Sequence, residues 1–407
     1  MKDNNLLRGA NHQSTKTQNR ALILKLICTG SAVSRIDLSR QTGLSKMAIT
    51  NLVNELLSEG YVVEGEGRER PDKGTATGRR PVVLSPDTES RGVIGLYISR
   101  DYATAILSNF KCHILEKFTV SFAYEETPES FCEKLISLIG DVMASPNAGK
   151  RKLEGIGVAC IGPLDSREGV ILEPPNFHML KSIAVGSLLK KTFNLPVYVD
   201  NDMNAAALAE RLYGKGKDVS HFVYVGITNG IGAGIISGEQ LFSGERGFSG
   251  EIGHTTIHYE GPKCACGNNG CLELYASLPV IVSQAANALD LGMDSMLKNY
   301  KNLSWEAIVE CAQKEDKLAL SLIDRICLYG AIGLVSVVNI FDPQVIYLGH
   351  EFALAGDMAA QKLEGYIKDK TMSSRYKTVP VEISAFGEKA PLTGASALVL
   401  DRLFKGI

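Results

Sequence analysis

The chain has no run of 18 or more apolar residues, no low-complexity segment, no repeat at a solenoid period and almost no net charge. Each absence narrows the options. Without a long apolar run, no membrane span is expected. The opening residues, MKDNNLLRGANHQSTK, are polar and lack the apolar core of a secretory signal, so a cytoplasmic location is expected. Nine cysteines is an odd number, and in a reducing compartment it argues against a disulfide framework. Three of them, Cys264, Cys266 and Cys271, fall within eight residues. That crowding points to a metal site, with the other six as scattered free thiols. A length of 407 residues is too much for one core, so two or three domains are expected.

The net charge of −2 hides an asymmetry. Residues 1–84 hold 13 basic and 8 acidic side chains, a net +5, while the remainder holds 30 and 37, a net −7. A basic head on an acidic body suits a protein with one domain facing nucleic acid.

That head has a local logic. Asn19–Cys28 places apolar side chains on one helical face, and Gly30 follows as a stop. Ser34 with Asp37 three residues later reads as a capping box opening a short helix, Arg35–Thr42. Gly43 supplies the tight turn, and Ser45 caps a second helix running to about Glu59. Leu38, Leu44, Ile49, Leu52, Val53, Leu56 and Leu57 form the shared core. This is a helix-turn-helix, whose second helix enters the major groove. Ser45, Lys46, Met47, Thr50 and Asn51 then face double-stranded DNA; apart from Met47 they are short polar or basic groups suited to phosphates and base edges. Tyr61–Glu64 and Arg80–Leu84 read as two strands flanking a polar, glycine-rich loop, which makes a wing. Arg79 and Arg80 are placed to reach phosphates or a narrow minor groove; the alternative is a solvated linker.

From Gly92 strand-like runs alternate with helical segments, an α/β body of about two lobes. Four constellations stand out there. His254 followed by CACGNNGC offers an imidazole and three thiolates, His254, Cys264, Cys266 and Cys271, the ligand set of a closed structural zinc site. His258 competes for the fourth position. Glu251, His254 and Glu273 flank this cluster as partners for sugar hydroxyls, or as surface charges. VDNDMNAAALAE places Asn201, Asp202 and Asn204 where the strand Val197–Val199 gives way to a helix; Asp202 is a general base, a hydroxyl acceptor or a helix cap. GITNGIGAG, Gly226–Gly234, is either a phosphate cradle or a tight turn between strands.

Together these motifs resemble the ROK family (repressors, open reading frames, kinases) over nearly the whole chain. GLSKMAITNLVNEL and GRRPVVL resemble the winged helix-turn-helix of its repressors. EIGH, CACGNNGC and LELYAS resemble its zinc and sugar motif, and VDNDMNAAALAE the segment carrying the aspartate of its sugar kinases. NIFDPQVIYLG resembles its C-terminal strand and turn. The resemblance implies an N-terminal winged helix-turn-helix followed by a two-lobed actin-like ATPase fold. The expected division is 1–88 for the head, 89–200 joined by a C-terminal helix at 388–407 for the first lobe, and 201–387 for the second. Asn176, Asn201, Asp202, Glu251, His254 and Glu273 are then expected to line a sugar cleft.

The departures bear on function. Family kinases open with an Asp-x-Gly-Gly-Thr phosphate loop, whereas this chain reads GLYISRDYA, with Tyr97 for the aspartate and Ser99 and Arg100 for the glycines. Their adenosine-side Gly-Gly becomes Gly349-His350-Glu351. The sugar half of the cleft is kept and the ATP half is damaged. A non-enzymatic repressor of carbohydrate genes is therefore expected, holding one zinc ion per chain and binding a palindromic operator as a homodimer or homotetramer. Hexoses, N-acetylated hexosamines and xylose all suit related pockets. Two rivals stay open: an active sugar kinase with a DNA-binding head, and a repressor controlled by a protein partner.

Overall fold

The computed structural model describes residues 12–30, 33–65, 82–123, 126–174, 177 and 180–406. Arg79, Arg80 and Asn176 lie outside the described residues, as does the polar loop ahead of the two arginines.

The head comprises α1 (His12–Thr29), β1 (Val33–Ser34), α2 (Arg35–Thr42), α3 (Lys46–Ser58), β2 (Val62–Gly65) and β3 (Val83–Pro86). Helix α2 begins at a reciprocal cap: Ser34 Oγ accepts from the Asp37 N–H at 3.3 Å, and Asp37 Oδ2 accepts from the Ser34 N–H at 3.1 Å. Gly43 ends it at φ +71°, and Ser45 Oγ then accepts from the Ala48 N–H at 3.2 Å to start α3. Leu38, Ile49, Val53 and Leu56 close on Ile23 and Ile27 of α1. The strands pair antiparallel in the order β1-β3-β2, so the two expected strands gain a third, β1, just ahead of the α2 cap.

The body builds one plan twice. The first unit runs β4 (Arg91–Ile98), β5 (Tyr102–Ser108), β6 (Ile114–Ser121), α4 (Pro128–Ala144), β7 (Lys152–Cys160), the small hairpin β8 (Leu164–Asp165) and β9 (Val170–Ile171), α5 (Val185–Phe193), β10 (Val197–Asn201) and α6 (Asp202–Tyr213). The second runs β11 (Phe222–Ile227), β12 (Ile231–Ser237), β13 (Gln240–Leu241), α7 (Glu273–Ala276), α8 (Leu278–Asp290), α9 (Trp305–Gln313), α10 (Lys317–Phe341), β14 (Val345–Gly349), α11 (Gly356–Lys368), β15 (Val381–Ile383) and α12 (Ala390–Lys405). The sheets are ordered β10-β7-β4-β5-β6 and β13-β12-β11-β14-β15. In each, an antiparallel meander is extended by two parallel strands beside its first strand.

The closing helices trade places. Helix α12 packs on β4 and β7 of the first sheet, α6 packs on β11 and β12 of the second, and the two helices pack on each other. Small residues make this possible. A Cβ on Gly157 would stand 1.8 Å from the Ala395 carbonyl oxygen, and one on Gly394 would stand 2.3 Å from Ala205 C. Ala205, Ala206, Ala207 and Ala209 are all buried. Asp202, the first residue of α6, is thereby fixed between the two sheets.

Helix α10 is long and apolar enough to cross a membrane by length and composition, with a mean hydropathy of 1.8 over its most apolar window. Asp324 and Arg325 interrupt its apolar sequence. More than half of that window is buried, and Leu322, Ile323, Ile326 and Leu334 belong to the core of the second unit.

Head and body share one core cluster, in which Ile23 and Leu24 join Val93, Phe110, Leu398 and Phe404. Arg91, at the start of β4, ties the seam. Its guanidinium stacks 3.6 Å from the Tyr61 ring centroid. It donates to the Gly60 carbonyl at 3.1 Å and also to the Glu59 carbonyl and the Glu154 carboxylate.

Candidate functional site

A cavity of about 160 Å³ opens where the end of β4, the β10–α6 junction, the β11–β12 turn, the turn at 251–254 and α7 meet. At the β10–α6 junction the capping role and the cavity role coexist. Asn201 Oδ1 accepts from the Met203 N–H at 2.8 Å, and Asp202 Oδ1 accepts from the same group at 2.9 Å, while both residues line the cavity. Asn204 turns away and donates to Asp200 Oδ1 at 2.8 Å. Glu251 Oε1 and the Asn201 amide nitrogen converge over Gly162, at 2.9 and 3.2 Å from where a Cβ would stand. Glu273 begins α7, and its Oε2 lies beside Gly230. Five of the six residues expected to line a sugar cleft therefore share one cavity, and the sixth, Asn176, lies outside the described residues.

GITNGIGAG is a hairpin. β11 ends at Ile227, the Thr228 N–H donates to the Gly230 carbonyl at 2.8 Å, and β12 returns antiparallel from Ile231. Its tip, Thr228–Gly230, lines the cavity.

His254, Cys264, Cys266 and Cys271 bring one ligand atom each to within 4.8 Å of one another. His254 Nδ1 lies 3.8 Å from Cys264 Sγ, and Cys266 Sγ lies 3.7 Å from Cys271 Sγ. Thiolate bonds of about 2.3 Å at tetrahedral angles give ligand separations of roughly 3.7 Å, so the four atoms could hold a metal ion. His258 is outside this group and faces the Tyr275 hydroxyl at 3.2 Å. Glu273 Oε1 stands 3.4 Å from His254 Nδ1 and 3.0 Å from Cys264 Sγ, so α7 joins the cluster to the cavity.

The opposite wall is lined by Tyr97, Ser99, Arg100 and Glu351, with Tyr224 and His350 buried beside it. Tyr97 is buried at the end of β4, its hydroxyl held protonated by burial and by the nearby Asp202 charge. His350 is 1% exposed, with φ +56° and ψ −159°, a region that essentially only glycine adopts, at a strain of order 1–3 kcal/mol. Its Nδ1 meets the Tyr224 hydroxyl at 2.9 Å, and its Nε2 lies 3.5 Å from Asp202 Oδ2. Burial lifts the Glu351 carboxyl above its ordinary value, and Asp202 and Glu388 add to that against His350. Arg100 lines the cavity too, as the guanidinium among four carboxylates, Asp202, Glu251, Glu273 and Glu351. From the sequence, Tyr97 and Arg100 stand out only as departures from a phosphate loop, and His350 and Glu351 only as departures from an adenosine-side Gly-Gly; in the fold Tyr97, Arg100 and Glu351 line one cavity, and His350 is buried beside Asp202.

In the head, Ser45, Lys46, Met47 and Asn51 are exposed along the start of α3, Met47 at 73%. Thr50 is half-buried and donates to the Lys46 carbonyl at 2.8 Å.

A helix-turn-helix head fused to a duplicated α/β body, with a polar cleft beside a histidine–cysteine cluster, places the molecule among regulators built on the sugar-kinase scaffold. The chain belongs to the ROK family, whose model matches residues 93–402. A xylose repressor from Caldicellulosiruptor bescii is 32% identical over 96% of this chain and 97% of its own. The crystal structure of a ROK family transcriptional regulator, a homologue of the Escherichia coli MLC protein, superposes with a TM-score of 0.82 at 28% identity, covering 96% of this chain and 97% of that one. A ROK glucokinase from Streptomyces griseus, solved with glucose and AMPPNP, matches at TM-score 0.67 and 25% identity over 75% of this chain and 98% of its own. The body thus has the two-lobed, actin-like fold shared by repressors and sugar kinases.

Proposed function

We propose that this chain is a cytoplasmic DNA-binding repressor of carbohydrate genes whose operator affinity is set by a small sugar. The observation that carries this reading is the contrast within the cleft. Asn201, Glu251, His254 and Glu273 line one side of the cavity, while on the other Tyr97, Ser99, Arg100 and Glu351 stand where the family's kinases carry their glycine-rich nucleotide motifs, with Tyr224 and His350 buried beside them. A site that binds hydroxyls beside an altered nucleotide side suits a sensor better than a kinase. The similarity to a xylose repressor over head and body supports it.

In this reading residues 1–88 form the head, 89–200 with 388–407 the first lobe, and 201–387 the second. His254, Cys264, Cys266 and Cys271 would hold one zinc ion per chain. When bound, zinc supplies a closed cross-link that fixes the 264–271 loop. Ser45, Lys46, Met47, Thr50 and Asn51 read the major groove, with Arg79 and Arg80 on the backbone. A homodimer, or a tetramer of two such pairs, presents two heads to a palindromic operator. Sugar narrows the cleft and the Arg91 seam passes the change to the head; a tenfold loss of operator affinity needs about 1.4 kcal/mol of coupling.

The test is a fluorescence-anisotropy titration on the gene's own upstream DNA at fixed salt, repeated with a panel of monosaccharides. Selective release by one sugar supports the reading. Specific binding that no sugar alters favours a protein partner as the signal. ADP formation from MgATP and a sugar would make the chain a kinase with a DNA-binding head.

A further inference from the structure

The geometry points to His350 as a positioning residue that holds Asp202 as a hydrogen-bond acceptor for the effector's hydroxyl. This rests on the reading of the cavity as a sugar site.

The surroundings of His350 are specific to an imidazole. It follows β14, and its ring enters the space between β11 and the start of α6. Gly226 makes that space: a Cβ there would stand 2.7 Å from His350 Nδ1 and 2.4 Å from Met203 Sδ. Tyr224, fully buried on the same strand, meets Nδ1 at 2.9 Å. Nε2 is buried with no hydrogen-bond partner, and the polar atom it faces is Asp202 Oδ2 at 3.5 Å. That separation is too long for a strong hydrogen bond. A buried nitrogen left in this state calls for an explanation, and so does a non-glycine residue at φ +56°.

One arrangement accounts for all of this. The Tyr224 hydroxyl donates to Nδ1, which leaves the proton on Nε2, directed at Asp202 Oδ2. Asp202 Oδ1 is already fixed by the Met203 N–H. The carboxylate is then held at both oxygens, and its remaining lone pairs face the cavity. A carboxylate so held accepts from a hydroxyl without taking its proton, which is what recognition requires. Asp202 opens α6, which packs on β11 and β12, and His350 follows β14 of the same sheet, so the pair is assembled within the second lobe and the acceptor is oriented before the effector arrives.

The experiment uses the full-length, metal-loaded protein and the monosaccharide that the wild type binds most tightly in a calorimetric panel. His350→Ala is expected to weaken that binding at least tenfold, and His350→Gln, which restores an N–H near Asp202, to recover most of the loss. In the Asp202→Asn background, His350→Ala should add less than threefold. Equal losses for Ala and Gln, or full additivity with Asp202→Asn, would show a merely structural role and overturn the assignment. A second arm needs no sugar. Nitrogen-15 spectra of the histidine rings, assigned with His350→Gln, should show a proton on Nε2 and a shift of that nitrogen in Asp202→Asn. A bare Nε2 overturns the proposal even if a sugar binds. A protonated, Asp202-sensitive Nε2 in a protein that binds no monosaccharide supports the His350–Asp202 pair while refuting the sugar reading.

Discussion

On the wall built from β10, the turn at 251–254 and α7, the cavity is lined by an amide, carboxylates and an imidazole; on the wall built from β4, β11 and the turn after β14, it is lined by Tyr97, Ser99, Arg100 and Glu351, and Tyr224 and His350 are buried against each other. Asn201, Glu251 and Glu273 belong to the first wall. On the second, Tyr224 faces His350 and Tyr97 stacks edge-on to Tyr102, with ring centroids 6.0 Å apart. Burial raises both Tyr97 and Tyr224 well above the ordinary phenol range, with Asp202 adding to each and Glu210 adding to Tyr224. They therefore remain neutral donors at any ordinary pH. Both belong to paired strands, and the parallel β11–β14 ladder beside Tyr224 runs to Gly226 and Gly349.

The comparison is broken most severely at the first wall's support. Cys264→Ser removes a ligand from the group at the cavity edge. Metal analysis is expected to fall from about one zinc per chain to near zero, and the sugar response of operator binding to disappear with it. Retention of full zinc and a normal response would remove the cluster from the mechanism. Next in size is a substitution that touches neither wall. Asn51→Ala, on the exposed start of α3, should weaken operator binding tenfold or more, consistent with the roughly 1–3 kcal/mol of a base contact, and leave sugar affinity as it was. An unchanged anisotropy titration would move the DNA-reading face elsewhere. Smaller again is Arg91→Lys, which keeps the charge at the seam but loses the planar stack on Tyr61. Sugar and operator affinities measured separately should hold within about threefold, while the effect of one on the other shrinks by about 1 kcal/mol. Full coupling in that variant would show that the signal bypasses the seam.

What could be read from the sequence follows how local each signal is. The head was legible because its punctuation is carried by adjacent residues: Ser34 with Asp37, Gly43, then Ser45. Helices α5 and α11 carry no such punctuation and begin without a capping side chain, at Ala184 and Ala355. β6 pairs only with β5 at the sheet edge, and its residues are half-buried or exposed. The duplication of the body is a matter of strand order, and no residue pattern records it. In the site, Asn201, Asp202, Glu251, His254 and Glu273 were legible as motifs, and the structure gathers them around one cavity. The opposite wall was not, because substitutions at Tyr97, Arg100 and His350 read only as losses until the fold places Tyr97 and Arg100 on the cavity and His350 beside Asp202.

The smallest expected effect is at a residue that does not line the cavity, and it asks whether the helical core of the second lobe is a passive frame. Asp316 caps α10, the helix at the centre of that lobe's core. Burial alone would raise its carboxyl pKa. Hydrogen bonds from the Ala319 and Met296 N–H groups and the Ser295 hydroxyl outweigh that and bring it below its ordinary value. A carboxylate whose folded pKa is depressed contributes stability above its unfolded pKa, near 3.9, and loses it as the pH falls through the folded value. Asp316→Ala should therefore cost about 1 kcal/mol at neutral pH, and the gap between variant and wild type in urea unfolding should close as the pH drops below about 4. Sugar affinity at neutral pH should not move, since Asp316 caps the first turn of α10 and does not line the cavity, whereas the helix meets α7 much later, through Tyr329 against Tyr275 and Gly333 against Leu272. A sugar response that weakens along with stability would mean that the helical core around α10 takes part in closure, and the division between an active cleft and a supporting frame would have to be redrawn.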